Sequence, residues 1–155
     1  MSNKLNEEEI NLIQKRREGL DDFLKERMPI LKEFMEDLGY DEPHLVLLEA
    51  QRFIPSLSDY LKNQKIEDED KNWITSILGY FIGEVFVQKY NGSWFLNEDA
   101  NSHTFGKYLV GGFLGFDNAS IDSFKVAIDY VNQNSISLET FILNIENDVF
   151  YKKIK

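Results

Sequence analysis

The stretch LGYFIGEVFVQKYNGSW, Leu78 to Trp94, is the part of the sequence from which the fold is best argued. It is an apolar run with two glycines four residues apart and one acid, Glu84. At 100° per residue, bulky side chains fall on one arc of a helix: Ile74, Ile77, Leu78, Phe81, Ile82 and Val85. Small residues fall on the opposite arc: Thr75, Ser76, Gly79 and Gly83. The pattern predicts a central buried helix over about residues 69–90, with another backbone close to its small-residue side.

A small antiparallel sheet is predicted directly after this helix. Asn91-Gly92 is a strong turn signal, and the helical periodicity stops there. Ser93 to Asn97 and Thr104 to Val110 then have the composition of strands, joined by the polar loop Glu98 to His103. We expect them to pair as a hairpin over about residues 93–110. The glycine-rich stretch Gly111 to Phe116 is interpreted as a turn.

Helices are predicted on both sides of this unit. Residues 5–27 and 30–38 have helical periodicity, and Pro29 between them is expected to kink or restart the helix. Residues 44–63 are predicted to form a helix that Pro55 bends or breaks. Two C-terminal helices are expected, capped near Ser120 and at Ser137, the first burying Ile121 and Ile128 among other residues. The chain is therefore predicted to be one mainly helical α+β domain over residues 1–155.

The composition excludes several classes of function. The 155 residues include no cysteine, so disulfides and thiolate sites are ruled out. The formal net charge of −10 disfavours nucleic acid as a partner, and 18 of the 27 acids lie in the first 70 residues. No signal peptide is visible, and the longest uncharged run, residues 72–83, is too short to span a bilayer. We expect a cytoplasmic protein without membrane contact.

Glu84 is the main candidate for a functional residue. A carboxylate in an apolar helix loses hydration, which costs free energy unless a donor or cation compensates. Trp94 Nε1, the Tyr108 hydroxyl, Lys107 and backbone N–H groups of the hairpin are the donors that the sequence offers. Two interpretations stay open: Glu84 ties the helix to the sheet, or it is a functional carboxylate.

Other residues are candidates for contact with a ligand or partner: Tyr80, Trp94, His103 and Tyr108. No pattern points to a catalytic group, a metal site or a cofactor. The glycine-rich stretch lacks the Lys-Ser/Thr of a P-loop, and neither HExxH nor GxSxG is present. His44 has acidic neighbours but no second histidine at ligand spacing.

The residues Leu78, Gly79, Gly83, Glu84 and Val85, followed by Gly92 and Trp94, form the pattern LGxYxGEV with a downstream GxW. Phe81 stands at the aromatic position of this pattern. The stretch from Trp73 to Val110 resembles uncharacterised bacterial domains, some of which are similar to small acidic immunity proteins of toxin systems. The resemblance implies binding to a protein, and it carries no catalytic residue.

Three functions are consistent with these observations. The first is a non-catalytic protein-binding domain, of immunity or inhibitor type, whose acidic surface docks a basic partner such as a toxin. The second is an interaction module that self-associates through exposed aromatic residues. The third is a small-ligand receptor or enzyme that uses Glu84 in an apolar pocket with Tyr80, Trp94, His103 or Tyr108.

Overall fold

Five α-helices and one three-stranded antiparallel sheet are present in the computed structural model, which describes residues 5–62, 66–133 and 136–151. The helices are α1 (Glu7–Asp37), α2 (Ile54–Lys62), α3 (Lys71–Tyr90), α4 (Ser123–Gln133) and α5 (Leu138–Glu146). The strands are β1 (Ser93–Leu96), β2 (Tyr108–Phe113) and β3 (Phe116–Ile121). The mainly helical α+β class is therefore confirmed. Three predictions concern residues outside the described part of the chain: a helix end at Asn63, a charged connection that begins at Lys65, and a basic tail of Lys152, Lys153 and Lys155.

The central helix is confirmed as α3. Ile74 and every residue from Ile77 to Phe86 are buried. A helix that is apolar around most of its circumference is expected in the protein interior, because it has no polar face to turn towards water. It ends at Asn91, which adopts the left-handed conformation with φ 57°. Asparagine tolerates that conformation, so the turn signal at Asn91-Gly92 is confirmed.

Aromatic rings pack against the small-residue side of α3, which corrects the expectation that another backbone lies closest there. A Cβ added to Gly79 would overlap the ring of Phe124, and one added to Gly83 would overlap the indole of Trp94. Phe124 belongs to α4 and Trp94 to β1, so both elements pack closely against α3. The two glycines are needed because no larger residue leaves space for these rings.

Helix α1 is continuous through Pro29, so the predicted fresh start of the helix there was wrong, and the kink stays a prediction. Pro29 is exposed, and water can therefore bind the carbonyl that the missing N–H leaves free. Asn6 and Glu9 form a capping box at the start of the helix. Gly39, with φ 92°, ends it as predicted, because Tyr40 N–H donates to the Met35 carbonyl at 3.2 Å.

The predicted helix over residues 44–63 is split into three pieces. Two short 3₁₀ helices, Pro43–Leu47 and Ala50–Phe53, precede α2. Pro55 is the second residue of α2, where the missing N–H has no helical partner to lose. The expected break is thus present, but the chain before it is not α-helical.

The sheet has one strand more than the predicted hairpin. Strand β1 pairs with β2, with Trp94 opposite Val110, and β2 pairs with β3. The stretch Gly111 to Phe116 is therefore mostly strand, and only Leu114 and Gly115 connect β2 to β3. A bulge between Gly111 and Phe113 contains Gly112, whose φ is 64°. Glycine between strand residues is typical of a bulge as well as of a turn, and Gly112 lies in a bulge.

The third strand also moves the start of α4. This helix begins at Ser123 instead of near Ser120, and Lys125 N–H donates to Asp122 Oδ1 at 3.2 Å. Ile121 belongs to β3, and Ile128, predicted to be buried, is 44% exposed. The cap at Ser137 is confirmed, because its side chain accepts from Thr140 N–H. Among the described residues, no helix combines the length and apolarity needed to cross a membrane.

Candidate functional site

Glu84 is buried at the meeting point of three elements. Its side chain is 3% exposed, and each carboxylate oxygen has a partner. Arg27 Nη1 of α1 lies 2.9 Å from Oε1, and Trp94 Nε1 of β1 donates to Oε2 at 3.1 Å. Trp94 is one of the donors that the sequence offered, whereas Arg27 was missed. The carboxylate therefore links α3 to both α1 and β1.

The Arg27 guanidinium decides what this carboxylate can do. The partly buried guanidinium and the buried carboxylate attract each other at hydrogen-bond distance, so each holds the other in place. Arg27 lies about three helical turns after Arg16 and Arg17 on α1, and nothing in the local sequence sets it apart from them. Only the path of α1 across α3 brings it to Glu84. The geometry is that of a structural tie between elements.

An aromatic cluster adjoins this pair through Trp94, and it consists of Phe23, Tyr80, Trp94, Tyr108 and Phe124. Phe23 of α1 is its centre: its ring centroid lies 4.4 Å from that of Tyr108, 5.0 Å from Tyr80 and 5.2 Å from Trp94. Such tilted and edge contacts each add stability beyond the buried area. The structure thus brings together Tyr80, Trp94 and Tyr108, as the sequence suggested, and adds Phe23 and Phe124.

The two tyrosine hydroxyls attach the cluster to the backbone of α1. Tyr108 donates to the Arg16 carbonyl at 2.7 Å, and Tyr80 donates to the Phe23 carbonyl at 3.4 Å. Burial raises the pKa of Tyr80 to about 12, with a smaller contribution from the charge of Glu26. The Tyr80 hydroxyl is thus a neutral donor at physiological pH. Neither tyrosine hydroxyl donates to Glu84.

His103 is not part of the aromatic cluster. It is exposed in the turn region between β1 and β2, and its side chain has no hydrogen bond, ion pair or ring contact with the described residues. The surrounding loop is instead ordered by Asn97, whose Nδ2 donates to Ser102 Oγ and Thr104 Oγ1. His103 remains a candidate for contact with a partner only through its exposure.

No family model, curated protein or solved structure matches the chain. The geometry and charge of its own residues are therefore the basis for assigning a function.

A second buried carboxylate, Glu146 of α5, was not identified from the sequence. It is 4% exposed and forms an ion pair with Lys89 and a hydrogen bond with the Tyr90 hydroxyl, both from the end of α3. Burial, followed by donation to Glu146, raises the pKa of Tyr90. Its neighbours Asn144, Asn147 and Asp148 are polar, so Glu146 does not stand out in the sequence as an acid in an apolar run.

An exposed groove with an acidic rim lies between α1 and α3. It has a volume of about 220 Å³ and is lined by Ile30, Glu33, Phe34, Asp37, Trp73, Ser76 and Ile77. Trp73 is 57% exposed, and the buried ring of Phe34 holds its indole in an edge contact at 6.1 Å. We call this feature the Trp73 groove. A large exposed indole beside two acids was not identified from the sequence, in which Trp73 was named only as the start of the resemblance.

The two acids of the Trp73 groove are uncompensated. Glu33 and Asp37 lie one helical turn apart on α1, and neither side chain has a hydrogen bond or ion pair with the part of the chain described here. Like charges at this spacing destabilise a helix by about 0.2–0.5 kcal/mol. They also lie at the carboxyl end of α1, where the helix dipole disfavours negative charge, and its last turn has no basic residue. A cation bound here would relieve both costs.

Proposed function

We propose that this chain is a non-catalytic binding protein of immunity or inhibitor type, whose acidic surface docks a basic partner protein. The observation that carries the proposal is the Trp73 groove, where an exposed indole lines one concavity with two carboxylates that have no partner among the described residues. Tryptophan at the centre of a contact contributes more to protein binding than most residues. The net charge of −10 supports the proposal, because it attracts a basic partner over long distances.

The shape and charge of the groove suit a long basic side chain. An arginine or lysine of the partner can place its aliphatic part on Ile30 and Ile77 and its cation over the Trp73 ring. Glu33 and Asp37 then accept charge-assisted hydrogen bonds from the same cation. The cation–π contact contributes about 0.5–2 kcal/mol, and each charged hydrogen bond about 1.5–3 kcal/mol. One inserted side chain can therefore dominate the affinity.

Residues 73–110 resemble uncharacterised bacterial domains, some of which are similar to small acidic immunity proteins, and this supports an inhibitory role. In this proposal the protein acts in the cytoplasm, where it binds a basic toxin and covers the toxin's functional surface. No cofactor, metal or nucleic acid takes part. The alternative, a receptor or enzyme that uses Glu84, requires a carboxylate that a ligand can reach, and both Glu84 oxygens are already occupied.

The proposal is tested by recovering the partner with a groove variant as comparison. Tagged protein is expressed in the native cell, cross-linked and purified, and retained proteins are identified by mass spectrometry. The wild type is expected to retain a basic protein that the triple variant E33Q/D37N/W73A loses. For an immunity role, co-expression of the wild type must also block the toxicity of that protein.

The matched control is E67Q/E69Q/Y60A, which removes two exposed acids and an exposed aromatic residue outside the groove. It should retain the same partner as the wild type. Equal recovery by the groove variant, or absence of a basic protein from all samples, contradicts the proposal.

A further inference from the structure

A second concavity lies over the aromatic cluster, on the side of Tyr108. Its volume is about 350 Å³, and it is lined by Arg16, Phe23, Gly106, Lys107, Tyr108, Asp122, Phe124, Lys125 and Ile128. We call it the Arg16 cavity. Its lining differs from the Trp73 groove in the sign of its charge, because it has three cations and one acid. In a chain of net charge −10, this convergence of basic side chains is a local exception.

The floor of the Arg16 cavity is aromatic. The rings of Phe23 and Tyr108 have centroids 4.4 Å apart, and those of Phe23 and Phe124 are 5.9 Å apart. All three rings are partly exposed, and the neighbouring Ile128 is 44% exposed. The ring planes are inclined to one another, by 42° for Phe23 and Tyr108 and by 61° for Phe23 and Phe124. Apolar ring surface of this kind, open to water at the base of a concavity, suits an aromatic ligand that makes face and edge contacts.

The basic rim contains one cation that is free to bind. Lys107 lies 3.3 Å from Asp122, and Lys125 lies 2.8 Å from Asp129, so both have acidic partners. Arg16 has no carboxylate partner among the residues described by the structure. Its guanidinium carbon lies 6.0 Å from the centroid of the Tyr108 ring, which holds it at the edge of the floor. A guanidinium in this position can bind a carboxylate through two hydrogen bonds.

We propose that the Arg16 cavity binds a small aromatic carboxylate, whose ring packs among Phe23, Tyr108 and Phe124 and whose anion pairs with Arg16. The Tyr108 hydroxyl donates to the Arg16 carbonyl at 2.7 Å and so fixes the ring against α1. This binding site is separate from the Trp73 groove, and the two proposals share no residue. A ligand here would therefore bind independently of a basic partner.

The proposal is tested with 2-naphthoate as the probe and the neutral isostere 2-naphthamide as its comparison. Calorimetry should give a Kd for naphthoate on the order of 0.1–1 mM, as expected for a ligand of this size. Naphthamide should bind at least about tenfold more weakly, because it lacks the charge that Arg16 recognises. Amide chemical shifts should change around Tyr108 and Phe124 and not around Trp73.

Two variants locate the binding site, and one serves as control. R16Q should weaken naphthoate binding by about tenfold or more, and I128E should abolish it by adding an anion to the rim. Both positions are exposed, so the fold is expected to survive. R17Q is the control, because Arg17 pairs with Glu98 outside the cavity and its loss should leave naphthoate binding unchanged.

Absence of naphthoate binding overturns the proposal, as does equal binding of naphthamide or an undiminished affinity in R16Q. The W73A variant distinguishes it from the proposed docking function, because W73A should leave naphthoate binding intact.

Discussion

At the scale of single residues, the motif around Glu84 is explained by packing. Gly79 and Gly83 admit the rings of Phe124 and Trp94, and Glu84 accepts a hydrogen bond from the same Trp94 indole. Gly92 faces the ring of Phe113, which a Cβ would approach at 2.6 Å. The motif residues therefore join α3 to its neighbours. A motif of this kind fixes a scaffold, and the choice of partner belongs to exposed residues outside it.

The buried ion pair leads to a prediction about E84Q. This variant keeps the shape of the side chain, but it turns one acceptor into a donor that faces Arg27 or Trp94. The remaining Arg27 charge is then largely buried without a counter-ion. We expect the free energy of unfolding to fall by about 2 kcal/mol, because Arg27 keeps some contact with water. Urea denaturation followed by circular dichroism measures this loss.

The comparison is E98Q, which makes the same change in an exposed carboxylate that also pairs with an arginine, Arg17. Water replaces the lost contact there, so its stability should match the wild type within error. E84Q should still recover the basic partner where it is folded. Unchanged stability with lost binding would show instead that Glu84 contacts the partner.

At the scale of elements, the sequence predicted those whose signal is local. The apolar run of α3, the cap at Ser137 and the end of α1 at Gly39 each follow from neighbouring residues. The continuity of α1 through Pro29 and the third strand could not be predicted this way. The first depends on Leu31, Phe34 and Met35 being held in the core, and the second on Gly111 meeting Ser120 across the sheet. Both are tertiary contacts that override local preference.

The residues of the candidate site were likewise predictable from the sequence only where their signal is local. Glu84 was identifiable because an acid in an apolar run is locally anomalous, and Trp94 because it follows soon after. Arg27 could not be identified, since it is one of several arginines on a polar helix face. Its role is set by the crossing of α1 and α3, which no spacing within either helix encodes.

Helix α1 has acidic residues at both ends, and their removal is expected to change the free energy of unfolding in opposite directions. Glu33 and Asp37 repel each other near the carboxyl end of the helix, where the dipole is also unfavourable. Their replacement in E33Q/D37N should raise the free energy of unfolding by about 0.5 kcal/mol. Thermal and urea denaturation measure the gain. The same variant should lose affinity for the basic partner.

The matched control is E7Q/E8Q, which removes two exposed acids from the first turn of the same helix. Acids at that end interact favourably with the dipole, so its stability should fall by about 0.5 kcal/mol. Equal changes at the two ends would show that only net charge matters. A loss of stability in E33Q/D37N would argue against uncompensated acids in the Trp73 groove.

At the scale of the whole molecule, the excess of ten negative charges sets how stability responds to salt. Surface ion pairs such as Lys25–Asp21, at 3.0 Å, weaken when salt screens them. Their contributions are small, whereas the net charge adds repulsion across the entire folded surface. Between about 10 mM and about 100 mM NaCl, the screening length falls from about 30 Å to about 10 Å. Added salt therefore weakens the repulsion across the molecule by more than it weakens the surface ion pairs.

We expect the free energy of unfolding to rise by an amount on the order of 1 kcal/mol over this salt range. Urea denaturation at each concentration measures it, and choline chloride serves as a control for specific sodium binding. E33Q/D37N should gain less, since part of its repulsion is already gone. Docking of the basic partner should respond with the opposite sign, because the same ions screen the attraction. A joint decrease of stability and affinity would mean that the surface ion pairs outweigh the net charge.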